Sequence, residues 1–239
     1  MARKFWMQRF AKWHIWLGWL VGVPMVLWTV TGLLMVIKPI DEVRGAHLRK
    51  DVEQAALPAD TQIAVVLPQD NSRPVQSVTT TMMRGQPVTT LAYADGTMER
   101  YDAAGAPLAP VSEVEARLIV AQGIIGGGAV SDATRYDAEN VPFDFRRPIN
   151  VWRVVLDDDT YVYVNSDTGA IEAVRTPWWR FFDILFGLHV MDLETREPGP
   201  NPWILVFSTL AIIGAVLGCT LMFRRRKARV KVPKAGVTA

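Results

Sequence analysis

Apolar residues follow two different patterns along the chain. Residues 13–37 and 198–223 contain no Asp, Glu, Lys or Arg and are apolar on every helical face. At about 1.5 Å per residue, 15–37 and 203–223 each reach about 30 Å, the depth of a bilayer hydrocarbon core. Both are predicted to be membrane-spanning helices. The segment between them is broken into short alternating runs. Residues 88–93 and 97–101 flank Ala94-Asp95-Gly96, and 151–156 and 160–165 flank Asp157-Asp158-Asp159. Such alternation across an Asp-rich or Asp-Gly turn predicts two β-hairpins. Each is followed by another turn, so the two units resemble each other at about 63 residues' spacing.

Between the hairpins, 112–122 reads as a helix, with Ser112 as N-cap, Glu115 at the capping-box position and Gly123 after the last turn. Its apolar face is expected to cover a sheet. Gly126-Gly127-Gly128 lacks the Lys-Ser/Thr that follows in a phosphate-cradling loop, and reads as a flexible connection. Beyond the second hairpin, Trp178, Phe182, Leu185 and His189 fall at helical spacing, while Arg180 and Asp183 are placed to pair on another face. That pattern predicts an amphipathic helix in the membrane interface, followed by the polar loop 192–201. The expected class is an α+β membrane protein. Its parts are a basic N-terminus (1–12), a first span (13–37), an antiparallel sheet-plus-helix domain (38–176), an interfacial helix and loop (177–201), a second span (202–223) and a basic tail (224–239).

Composition agrees: half of the 239 residues are hydrophobic and only 21% are charged, which excludes a disordered chain and disfavours a single soluble domain. Charge adds orientation. The two tails hold 11 of the 26 basic residues and none of the 24 acidic ones, leaving the middle segment nine charges negative. By the positive-inside rule both termini are cytoplasmic. Basic residues beside apolar helices are explained by topology and anionic lipid rather than by nucleic acid. The first run is too long for a signal-peptide core and lacks a cleavage site, so it reads as an uncleaved anchor. Trp13, Trp16 and Trp19 are expected near the inner interface, and Trp178, Trp179 and Trp203 near the outer one. Cys219 is the single cysteine, so no intramolecular disulfide is possible and a small buried apolar role is expected.

Hydrolytic motifs are missing from the middle segment, where His47 is the one histidine before His189. Asp157, Asp158 and Asp159 read as a solvated turn, with a hard cation as the alternative. Arg146 and Arg147 beside Phe143 and Phe145 form either an anion-recognition patch or a solvated loop.

Two of the three histidines lie on apolar helical stripes. His14 shares one with Gly18 and Gly22, a small-xxx-small face echoed by Gly214 and Gly218. Such faces admit a neighbouring helix or a flat ligand. An ionisable residue on a membrane stripe is a functional candidate, and histidine is a common axial ligand of haem iron; snorkelling to headgroups is the alternative. His14 and His189 are expected about 30 Å apart, at opposite leaflets. One chain cannot then clamp one iron, but a homodimer through the glycine faces would pair each histidine with its copy and stack two haems.

His14-Ile-Trp-Leu-Gly18, Thr31-Gly32-Leu-Leu34 before Asp41-Glu42, Leu188-His189 and the final span running into Arg224-Arg225-Arg226 resemble the PepSY-associated transmembrane family. Residues 151–169 resemble a PepSY repeat, a small helix-plus-antiparallel-sheet module. Larger members have four or more spans, occur with bacterial iron uptake and include haem-bearing inner-membrane reductases of ferric siderophores. The resemblance therefore implies His14 and His189 as ligands of haem b. It also implies a periplasmic domain on a Gram-negative inner membrane and a ferric siderophore as substrate; Arg153 and Arg180 are the residues expected to contact that anionic substrate. Two spans and no flavin or NAD domain set this chain apart, so its electron donor is another protein or a quinol. The competing expectation is a haem-free, membrane-anchored binding, regulatory or assembly module that grips a protein partner by its sheet edges.

Overall fold

The computed structural model of the protein describes residues 2–51, 55–65, 67, 73–196, 199 and 201–229. The chain forms two compact units: a helical one, Met1–Lys38 with Phe181–Ala239, and an α+β one, Pro39–Arg180. The expected basic tail beyond residue 229 and part of the loop 192–201 lie outside the described residues.

In the helical unit, helix α1 (Ala2–Met35) is continuous through the basic N-terminus, because nothing in its first turns breaks a helix. Its 34 residues extend about 51 Å, more than a hydrocarbon core requires. Its partner in this unit comes last in the chain and runs antiparallel to it, over Pro202–Arg229. Trp6–Met35 and Pro202–Phe223 are long and apolar enough to cross a membrane. Side chains such as Trp16 and Trp19 stay exposed, the pattern of a helix whose solvent is lipid. Thr29, Thr31, Thr209 and Thr220 each donate to the carbonyl four residues back, which satisfies these hydroxyls within the apolar stretch. Cys219 is exposed rather than buried, since in this unit the apolar surface faces outward.

The α+β unit opens with a short helix α2 (Ile40–Val43) and a single 3-10 turn at Ala46–Leu48 that carries His47. Strands β1 (Val75–Met83), β2 (Gln86–Tyr93) and β3 (Met98–Tyr101) form an antiparallel meander. Asp95 caps the β2–β3 turn through Thr97 N–H at 2.8 Å, and Gly96 supplies its positive φ. Helix α3 (Glu113–Gly123) follows, with Ser112 Oγ accepting from Glu115 N–H at 3.3 Å. The Glu115 carboxylate does not close a capping box; it accepts from Arg84 and Arg100, two guanidinium groups that outcompete one backbone N–H.

A second antiparallel sheet orders β4 (Val130–Tyr136), β5 (Val151–Leu156), β6 (Tyr161–Asn165) and β7 (Ile171–Arg175). Residues alternate across it. Val154, Leu156, Val162, Val164 and Val174 meet Ala116 and Val120 of α3, and Ile124 just after it, in the main core. The opposite face turns Val151, Tyr163 and Ala173 toward Phe145. The two predicted hairpins are β2–β3 and β5–β6. Gly126–128 is a tight turn rather than a flexible link: a Cβ at Gly127 would lie 2.2 Å from Val120 O, so the chain folds back directly onto the end of α3. Helix α4 (Pro177–His189) follows the sheet, and the Pro202–Arg229 helix is α5.

Candidate functional site

His14 packs its imidazole onto α5. Nδ1 stands 3.0 Å from the carbonyl oxygen of Gly214. A carbonyl only accepts, so Nδ1 carries the proton and Nε2 of the neutral ring keeps its lone pair. Gly218, one turn further, makes room: a Cβ there would fall 2.8 Å from His14 Cε1. Gly214 receives Leu17 in the same way, at 3.3 Å. The α5 glycine face is thus used within the chain. The α1 face is open, because a Cβ on Gly18 or Gly22 would meet nothing within 4 Å. These glycines floor a groove of about 800 Å³ along α1, with His14, Ile15, Trp19 and Val23 on its walls.

His189, the last residue of α4, repeats the arrangement with a different acceptor. Its Nδ1 lies 3.0 Å from Thr31 Oγ1. The Thr31 hydroxyl spends its single proton on Leu27 O at 2.8 Å, with Trp28 O as a second acceptor at 3.1 Å. Toward His189 it therefore accepts, and Nδ1 again holds the proton. Trp28 stacks on the imidazole, with centroids 5.1 Å apart and planes at 19°. Gly32 leaves the ring its space, since a Cβ would lie 3.1 Å from Cε1. Along α1, His14 and Thr31 are 17 residues apart, about 25 Å, so the two imidazoles of one chain cannot share an iron. Among the described residues no group of three or more His, Cys, Asp or Glu is placed to hold a metal ion.

Arg180 and Asp183 take different partners from the one expected. Arg180 Nη1 donates to Asp159 O at 2.8 Å and Arg175 O at 3.2 Å. Asp183 is buried and pairs with Arg196 at 2.6 Å, because the loop after α4 folds back to it. Arg153, on β5, stands over the rings of Tyr136 and Tyr161 at 5.0 and 5.2 Å. Arg147 pairs with Glu172 at 2.7 Å, and Arg146 stands over Phe143 at 4.6 Å. Asp157, Asp158 and Asp159 are exposed in the β5–β6 turn, where Asp158 accepts from Thr160 N–H at 2.9 Å.

The sequence located both histidines but not what holds them. Thr31 and Gly32 stood out only as part of a motif, Trp28 carried no signal of its own, and the Gly214 acceptor is a backbone group that no side-chain pattern reveals.

Two membrane-length helices packed antiparallel, with an α+β unit inserted between them in sequence, define an α+β membrane protein. The chain belongs to the family described as PepSY-associated TM region, which it matches over residues 11–238. The match runs through both helices and the domain between them. No curated protein and no solved structure matches it.

Proposed function

We propose that the protein is a haem b-binding electron-transfer protein of the bacterial inner membrane, in which His14 and His189 would hold the haem together with the same histidines of a second copy of the chain. One observation carries the reading: each imidazole is anchored through Nδ1–H to a fixed acceptor, which leaves Nε2 as an oriented, unprotonated donor. The larger space lies beside His14, in the Gly18–Gly22 groove of about 800 Å³, while Nε2 itself lies close to Gly218 of α5. At His189 one ring face is already covered by Trp28, and the imidazole does not line the cavity of about 280 Å³ formed by Pro24, Trp28 and Met191.

Haem, when bound, supplies one-electron transfer. The chain's own residues set the tautomer and orient the ring. By the charge of their flanks both termini are cytoplasmic, so the α+β unit is periplasmic and meets a ferric siderophore as electron acceptor. Arg153 and Arg180 supply positive charge to that anionic chelate. The experiment is the absorption spectrum of detergent-purified protein, before and after hemin addition and dithionite reduction. The expected result is a Soret band that shifts on reduction and is lost in His14→Ala. Unchanged haem content in both His14→Ala and His189→Ala disposes of the proposal.

A haem-free partner-binding module is the second reading, favoured by one feature. Strand β1 is a nine-residue edge of its sheet with no buried residue, and an edge strand can accept an added strand. A colourless preparation that stays colourless with hemin selects it.

A further inference from the structure

The face of the second sheet turned away from α3 carries two guanidinium groups on one phenol ring. Arg153 stands 5.2 Å from the centroid of Tyr161, and Arg180 stands 4.1 Å from it. Tyr136 flanks Arg153 at 5.0 Å. Neither arginine has an acidic partner among the described residues. Arg180 is held by two backbone carbonyls, which orient it without neutralising it. Arg153 Nε is buried with no hydrogen-bond partner, an uncommon state for so strong a donor. The carboxylate that shares this face, Asp144, accepts from Tyr163 O–H at 2.7 Å. The other arginines nearby are engaged: Arg147 with Glu172, and Arg175 with Asp144 O while stacking on Trp179.

Two guanidinium groups without a carboxylate partner among the described residues, 5.2 and 4.1 Å from the centroid of the same phenol ring, suit two carboxylates of one small molecule. A guanidinium fork matches a carboxylate with two parallel N–H···O bonds, and the rings hold the fork in place before the ligand arrives. We propose that Arg153 and Arg180, which share the ring of Tyr161, and Tyr136 beside Arg153 form a binding site for a small organic di- or tricarboxylate. This gives a chemistry to the substrate end of the electron-transfer reading, on which it rests for the presence of iron alone. The site needs neither iron nor haem to bind.

The test is calorimetric titration of haem-free, full-length protein in detergent with citrate, acetate and inorganic phosphate. Citrate is expected to bind, acetate and phosphate at least ten-fold more weakly. Arg153→Gln and Arg180→Gln are each expected to weaken citrate ten-fold or more, and Arg147→Gln, whose guanidinium is already paired, less than two-fold. Arg153→Lys keeps the charge and the fold but loses the fork, and is expected to weaken citrate as well. A flat citrate titration of the wild type, phosphate binding as tight as citrate, or an Arg153→Lys protein that binds normally overturns the site. So does an Arg153→Gln protein with a lowered melting temperature and unchanged citrate binding, which would make Arg153 a counter-charge to Asp144, whose Oδ2 is also buried without a partner. Because no haem enters the titration, its failure and a failed haem spectrum are separate results.

Discussion

The imidazole of His14 occupies the space that a side chain at Gly218 would need: a Cβ at that position falls 2.8 Å from Cε1 and 3.3 Å from Nε2. The glycine is therefore a condition for the His14 hydrogen bond to Gly214 O, one turn away on the same helix. Gly218→Ala has to displace the ring. It is expected to lose that bond, worth about 1 kcal/mol, against a helix-propensity gain of similar size. Gly214→Ala meets only a Leu17 methyl at 3.3 Å and keeps the propensity gain. Thermal melts in detergent are expected to rank Gly218→Ala clearly below Gly214→Ala; equal melting temperatures would show that His14 is not held there.

At the other end of α1, Thr31 decides which nitrogen of His189 is protonated. Thr31→Val keeps the branched shape but removes the acceptor, leaving Nδ1–H without its partner at a cost of about 1–3 kcal/mol. Thr31→Ser retains the hydroxyl. Nitrogen-15 spectra of histidine-labelled protein are expected to show His189 as a single Nδ1–H tautomer in the wild type and in Thr31→Ser, and as a mixture in Thr31→Val. A single Nε2–H tautomer in the wild type would contradict the assignment.

How much of this was written in the sequence depends on the range of the interaction. The spans and the β2–β3 and β5–β6 hairpins were legible because their periods are strong and their turns carry Asp and Gly. Strand β1 is rich in Ser and Thr, β4 is polar, and β7 has five residues and a bulge against β6; none offers a clean alternation, and all three are stabilised by neighbours rather than by local pattern. The glycine run after α3 looked like slack, because composition does not record that Val120 O lies directly above Gly127. Arg180 and Asp183 are close along the helix, yet Asp183 is claimed by Arg196 from the following loop. His14 and His189 were visible as isolated imidazoles on apolar helices; the partners that fix their tautomers come from 200 and 158 residues away.

Glu99 makes part of the first sheet's stability sensitive to acid. Its carboxylate accepts from Tyr101 O–H at 2.7 Å, Tyr93 O–H at 2.8 Å and Arg73 at 2.8 Å. These hydrogen bonds, led by that from Tyr101, hold its pKa below the ordinary 4.5. Burial and the neighbouring carboxylate push the Tyr93 phenol up, so it remains a donor. Because the folded pKa is the lower one, the unfolded chain binds the proton first. The contribution is fully present above the unfolded value and is lost as pH falls through the folded one. Glu99→Gln is expected to lower the melting temperature at pH 7 and to approach the wild type as pH drops below 4.5. Parallel melting curves across that range would sink the assignment.

The Asp183–Arg196 pair fixes the return of the chain from α4 to α5. Its side chains are only 8% and 18% exposed and its N···O distance is 2.6 Å. Arg196 adopts a positive φ of 52°, and its Cγ lies 3.0 Å from where a Cβ on Gly187 would stand. The loop is thus pressed against α4 at the one place where α4 has no side chain. Asn201 completes the closure, donating to Val190 O at 2.7 Å and accepting from Trp203 N–H at 2.9 Å. Removing one member of a pair this buried leaves the other charge without compensation, a loss of up to about 3 kcal/mol, whereas removing both costs less. Asp183→Ala is therefore expected to destabilise the helical unit more than Asp183→Ala combined with Arg196→Leu, and Gly187→Ala to act like the single charge deletion by pushing Arg196 outward. Melting temperatures of the three variants in detergent decide it. If the double variant is the least stable, the pair is contributing net attraction, and its role is stability rather than holding the turn in register.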